Sequence, residues 1–338
     1  MLLVVLGAGA SYDAVPVYPP PSLEGTPMRL PLANDLFAER YLSYIAHFPR
    51  CFPIIPYLMN QQSGVTVERV LQQLQDEGES NPERHNQLTA VRYYLHYMIG
   101  SHDLNWCRSA VGVTNHLTML DQIRHVLGNQ PICIVTFNYD RIIETVLAQR
   151  GITFASIDDY IRNDLCTLFK LHGSVNWGRE VISPIAGLPD TNWLALAQQI
   201  IDQAHELKVS DRFHVVQDQP IFHFDGKPLY PAMAIPLETK TAYECPLEHV
   251  GVLRSQLAEV DQVIIVGWRA ADQPFVRMLA DLLGGTLNGL VIAASETDAQ
   301  ETIERLTSAK VPCKFRATPG GFTDTIVRRT IEQFLREK

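Results

Sequence analysis

Five short stretches set residues able to do chemistry just past apolar runs. In the first, Leu2–Leu6 leads into Gly7, Ala8, Gly9, Ala10 and Ser11. A glycine turn there can aim backbone N–H groups at a phosphate, and the helix that follows favours negative charge at its start. The second, "CIVTFNYDRIIE", puts Asn138 and Asp140 beyond another β-rich run. That is the edge where open α/β sheets bind ligands, although Asp140 serves equally well as a helix cap. The third, "LFKLHGSVNW", ends on His172. An imidazole there can act as a general base near neutral pH, or can simply bond to nearby backbone. The fourth, "VIIVGWRAADQPF", offers Gly267 for close backbone approach and Asp272 as a helix cap or a ribose contact. The fifth, "VIAASETDAQ", sets Ser295 and Glu296 where a carboxylate can bind ribose hydroxyls or a helix can start.

These stretches need a scaffold that brings strand ends together. The β-rich runs 2–6, 132–136, 167–171, 262–266, 290–293 and 313–316 alternate with helical periodicity such as "RIIETVLAQR" and "PFVRMLADLL". That alternation predicts an α/β fold, a Rossmann-like doubly wound parallel sheet, with the candidate residues along its carboxyl edge. Two insertions interrupt it. One opens with the proline-rich "VPVYPPPSLEGTPMRLPLAND" and continues as amphipathic helical text, too long for a structureless loop. The other contains the helical "WLALAQQIIDQAHELK" and the proline-punctuated "FHFDGKPLYPAMAIPLETK". We therefore expect a core formed by 1–35 and 128–338, with a smaller insertion at about 173–247, and a helical subdomain over 36–127. The apolar text "YLSYIAHFPRCFPIIPYLM" and "VRYYLHYMIG" exceeds what a small subdomain needs. It predicts an interface and a homo-oligomer.

Composition narrows the classes. A chain of 338 residues, 46% hydrophobic and 19% charged, is globular rather than disordered. Its formal net charge of -9 weighs against a surface built for nucleic acid. No run approaches the length of a membrane span and the N-terminus lacks a basic leader, so we expect a cytoplasmic protein with no membrane partner. The six cysteines form no Cys-x-x-Cys pair, which predicts free thiols and no metal. A hydride-transfer fingerprint would need a third glycine where Tyr12 stands and an acidic strand end about 20 residues on, so a dehydrogenase is disfavoured.

The ordered set "GAGAS", "TFNYD", "LHGS" and "VGWRAAD" resembles the sirtuin superfamily, and most closely the bacterial sirtuin-like domains of antiphage defence that hydrolyse NAD. The resemblance covers the sheet core, about half the chain. It implies that Gly7, Ala8, Gly9, Ala10 and Ser11 hold the NAD pyrophosphate. Asn138 would meet the carboxamide or attacking water, Asp140 would position nicotinamide, and His172 would be catalytic. The strand-end motif at Gly267 would lie by the ribose and phosphate, and Ser295 and Glu296 by the adenosine ribose, with Asp272 left as a helix cap or a ribose contact. Two departures matter. The family's strand-end Gly-x-Ser reads Gly267-Trp268-Arg269 here, without the hydroxyl. Deacylating sirtuins also carry two Cys-x-x-Cys pairs after the histidine, and this chain has none. The expectation is therefore an NAD+ hydrolase giving nicotinamide and ADP-ribose, with NAD as substrate. An NAD-dependent protein deacylase and a noncatalytic NAD or ADP-ribose sensor stand as alternatives. Since unrestrained NAD cleavage is harmful, self-assembly or a separately encoded activating or sensor protein is expected to control it.

Overall fold

The computed structural model describes residues 1–15, 29–59, 65–78, 80–109, 114–183, 192–217, 223–237 and 242–337. Most of the proline-rich stretch after Ala14 lies outside them. Among the described residues ten strands form: β1 Leu2–Leu6, β2 Ile132–Thr136, β3 Cys166–Lys170, β4 Gly173–Val181, β5 Val209–Val215, β6 His223–Phe224, β7 Lys227–Met233, β8 Gln262–Val266, β9 Leu287–Ile292 and β10 Cys313–Thr318. The chain divides into two compact units, one of Met1–Leu30, Asp103–His172 and Leu247–Lys338, the other of Pro31–His102 and Gly173–Pro246.

The first unit carries a six-stranded parallel sheet in the order β10-β9-β8-β1-β2-β3. Every residue of β1, β2, β3 and β8 is buried, the pattern of strands covered on both faces. This is the expected doubly wound arrangement, and the chain reverses its direction of strand addition between β1 and β8. Ligands of such sheets bind in the crevice at that reversal. The registers make the carboxyl edge level, because Leu6 pairs with Thr136 and Val266, Thr136 with Lys170, and Val266 with Ile292. Each ensuing loop therefore leaves the sheet at one height.

The second unit holds what the sequence reading missed, a four-stranded antiparallel sheet in the order β5-β4-β7-β6. The helix expected in this insertion forms at Trp193–Asp202, with Asn192 accepting the Ala195 N–H as its cap. The proline-punctuated stretch contains a hairpin. Asp225 and Gly226, with φ of 49° and 71°, join β6 to β7, a turn that Asp-Gly favours. Most of the apolar text read as an interface is interior. Tyr41, Ile45, Phe48, Ile54, Leu58, Tyr93, Tyr94 and Met98 are all buried, while Leu42, Phe52, Tyr57 and Met59 stay exposed. The surplus that motivated an oligomer thus has an internal use. Residues 31–102 and 173–246 share one unit, and the helix Asn115–Leu127 lies in the unit of the parallel sheet. All six cysteines are free. Among the described residues no helix is long and apolar enough to cross a membrane.

Candidate functional site

All the candidate residues belong to the first unit and follow the level ends of β1, β2, β3, β8 and β9. The glycine turn after β1 is built by chain packing. The N–H of Gly7 bonds to Val266 O at 3.0 Å and that of Gly9 to Gly267 O at 3.1 Å. A Cβ on Gly7 would lie 2.5 Å from Trp268 Cα, and one on Gly9 would lie 2.8 Å from Gly267 Cα. Both glycines are therefore needed for the β1 and β8 loops to touch, whatever binds above them. Ala8 opens the short helix Ala8–Tyr12 and is exposed, whereas Ala10 and Ser11 are buried. Of the five turn residues, Ala8 is the exposed one.

Asn138, Ser11 and Asp140 form one hydrogen-bonded chain. Asn138 Nδ2 donates to Gly7 O and to Ser11 Oγ, both at 2.8 Å, and Ser11 Oγ donates to Asp140 Oδ2 at 2.7 Å. Asp140 Oδ1 accepts the Ile142 N–H at 3.1 Å. Both readings of Asp140 are thus partly visible, for its carboxylate starts the helix Ile142–Ala148 and also anchors the turn. Its oxygens are engaged inside the protein rather than pointed at a substrate. Among the described residues nothing donates to the Asn138 amide oxygen, which leaves that oxygen as the group able to meet water or a carboxamide.

Beneath this chain lies a buried ionic layer that sequence reasoning did not find. Lys170, fully buried at the end of β3, donates to the backbone oxygen of Asp140 and to Glu144 Oε1, the latter at 2.8 Å. Tyr160 adds a bond to the same Glu144 oxygen at 3.2 Å. Asp103, also fully buried, accepts from Arg141 N and Nε, both at 2.7 Å. Charges so deep persist only when paired. The one available signal was a lysine inside the otherwise apolar "CTLFK".

Burial raises the Asp140 carboxyl to about 6, against the pull of Lys170. The native protein thus keeps a proton that the unfolded chain releases near pH 3.9. Ionisation opposes folding increasingly as pH rises from about 4, and fully above pH 6, by ~3 kcal/mol for a shift of roughly two units. The neutral Asp140→Asn variant should therefore gain up to ~3 kcal/mol relative to the parent between pH 4 and pH 7 in urea unfolding. A stability difference that did not change with pH would contradict the assignment.

His172 faces a partner that the sequence did not suggest. Its Nε2 lies 2.9 Å from Asp272 Oδ2, and Asp272 Oδ1 accepts the Phe275 N–H at 3.0 Å to cap the helix Gln273–Leu282. The cap reading of Asp272 holds, and the pairing with His172 is added to it. The loop reaches this geometry through left-handed backbone at Gly267, φ 60°, and Ala270, φ 52°. Around the imidazole, Phe137 packs edge-on at 4.9 Å and stacks on Trp268 at 5.0 Å. Arg269 stands where the Gly-x-Ser pattern has its serine, and the preceding Trp268 is buried. Ser295 caps the helix Glu296–Ser308 by accepting the Asp298 N–H at 3.1 Å, and Glu296 is exposed and bonded to Gln300. The geometry thus brings Gly7–Ser11, Asn138 and Asp140 into one bonded cluster and His172 and Asp272 into another. Ser295 and Glu296 stand at the end of β9, joined to neither by a described bond.

Residues 132–186 match the SIR2-like domain family, a segment holding β2, Asn138, Asp140 and His172. The chain is similar to a Sir2 homolog in complex with NAD, with 12% identity, a TM-score of 0.42, and 98% of this chain and 90% of that chain covered. It is similar also to a Sir2 bound to the inhibitor EX-527, 2'-O-acetyl-ADP-ribose and deacetylated p53 peptide, with 10% identity, a TM-score of 0.41, and 99% and 94% covered. No curated protein matches it.

Proposed function

We propose, from the SIR2-like character of residues 132–186, that the protein is an NAD+ hydrolase that cleaves the nicotinamide–ribose bond. The observation that carries this reading is the level edge of the sheet, where a glycine turn at the strand-order reversal stands with Asn138 and a carboxylate-paired His172. In the proposed reaction the bond from ribose C1 to nicotinamide nitrogen breaks, its electron pair leaves with neutral nicotinamide, and water oxygen bonds to C1. The products are nicotinamide, ADP-ribose and one proton. The transition state is oxocarbenium-like, as in glycoside hydrolysis. The Ala8 backbone would meet the pyrophosphate. The Asn138 amide oxygen would hold the carboxamide or the water, and His172 would take the proton from water or a ribose hydroxyl. Asp140 would support Asn138 through Ser11.

An NAD-depleting role in bacterial antiphage defence, in the cytoplasm and under the control of self-assembly or a separately encoded activating or sensor protein, is the setting we propose for this chemistry. The second reading is a noncatalytic NAD or ADP-ribose sensor, favoured by the internal engagement of the Asn138 amide nitrogen and the Asp140 carboxylate. Asn138→Ala bears on both readings. It removes two bonds that hold the turn, worth about 1 kcal/mol each, so NAD affinity should fall on the order of tenfold to thirtyfold by titration calorimetry. Under the hydrolase reading nicotinamide release disappears as well. Unchanged affinity would show that the turn does not hold NAD.

A further inference from the structure

We propose that Asp272 is the positioning residue of His172, fixing the imidazole with its proton on Nε2 so that Nδ1 is the nitrogen that takes the proton during NAD cleavage; this rests on the hydrolase reading. Asp272 Oδ2 stands 2.9 Å from His172 Nε2, and the two side chains are 4% and 12% exposed. An ionised carboxylate only accepts hydrogen bonds, so the ring nitrogen facing it must carry hydrogen. In the neutral imidazole the basic lone pair then belongs to Nδ1. The carboxylate is itself immobilised, since Oδ1 accepts the Phe275 N–H at 3.0 Å and the helix Gln273–Leu282 starts there. Phe137, edge-on at 4.9 Å, limits rotation of the ring. The helix cap and the imidazole thus share one side chain, and the segment from Gly267 to Asp272 joins the glycine turn to the base.

As the water oxygen bonds to ribose C1 and the C–N bond breaks, the water proton passes to Nδ1. The imidazolium so formed is stabilised across Nε2–H by Asp272, and it later releases the proton to solvent. A group that orients a base and stabilises its charged form acts on turnover more than on binding.

Asp272→Asn separates this role from the structural one. Asparagine caps a helix about as well as aspartate, so the urea midpoint should stay near the parent's. Its amide Nδ2 can now donate toward His172 Nε2, which moves the ring proton to Nδ1. With 15N-labelled histidine, the Nδ1 and Nε2 signals of His172 should exchange their protonated and unprotonated character. The kcat for nicotinamide release should fall by about 10² to 10⁴ while KM changes little. Asp272→Ser, which keeps a capping hydroxyl without a carboxylate, should lose kcat as well. The ring pattern is read without NAD, so it stands or falls separately from the hydrolase reading. An unchanged nitrogen pattern in Asp272→Asn, or a kcat within threefold of the parent in either folded variant, would overturn the proposal.

Discussion

Replacing His172 by alanine is expected to lower nicotinamide release by about 10² to 10⁴, the usual contribution of a positioned general base. NAD affinity should remain close to that of the parent, because the ring's described partners, Asp272, Phe137 and Tyr139, lie outside the glycine turn. The effect should therefore appear in kcat, and calorimetry should still detect binding. Folding should survive as well, since the ring is only partly buried and β3 ends before it. Release at the parental rate would remove His172 from the chemistry and leave the sensor reading in its place.

The other large effect is structural. Gly267→Ala is expected to destabilise the protein by on the order of 3 kcal/mol or more and to abolish NAD binding. The residue has φ of 60°, a conformation that costs an L-residue about 1 to 2 kcal/mol. Its added Cβ would lie 2.5 Å from Ala10 N and 2.6 Å from Gly9 Cα, so the loop after β8 and the turn after β1 would have to separate. Backbone atoms on both sides leave no flexible side chain to yield. Gly285 is the matched control, with φ of 73° and nothing within 4 Å of where its methyl group would stand. Gly285→Ala should show only the conformational cost, about 1 kcal/mol, in urea unfolding, with NAD binding intact. Equal costs for the two substitutions would show that the contact between the turns does not matter. For the same reason Gly9→Val reports on packing as much as on ligand binding.

The sheet core was legible because its central strands are buried on both faces, which leaves uninterrupted apolar runs such as "LLVVL" and "QVIIV". The bounds of β1 and β8 follow from sequence, since Gly7 and Gly267 stop those runs where their loops begin, whereas the run expected at 167–171 forms at Cys166–Lys170. The antiparallel sheet was not legible. β5 is mostly outside the core and β7 carries Pro228 and Pro231, so neither alternation nor an apolar run marks these two strands. The Asp225-Gly226 turn was the one local clue. For the site, the residues at strand ends were readable as a set, because topology dictates where those ends gather. Their partners were not. His172 and Asp272 are 100 residues apart, and Asp103 and Arg141 are 38 apart, with nothing local to tie either pair. How much of the apolar text around Tyr41–Met59 and Val91–Gly100 is interior was not legible either. Composition reveals an excess of aromatic residues, but only packing decides whether Tyr94 meets solvent or, as here, bonds to the Leu36 carbonyl within its own unit.

The central claim is that this protein breaks the nicotinamide–ribose bond with water alone. The direct measurement is incubation of the purified full chain, in its assembled or partner-activated form, with NAD in the presence and absence of an acetylated peptide, followed by chromatographic separation of the products. The account predicts equal amounts of nicotinamide and ADP-ribose, formed at the same rate whether or not peptide is present. Nicotinamide released only with peptide and accompanied by an acetylated ADP-ribose would contradict it in favour of a deacylase, and no release under any condition would contradict it in favour of a sensor.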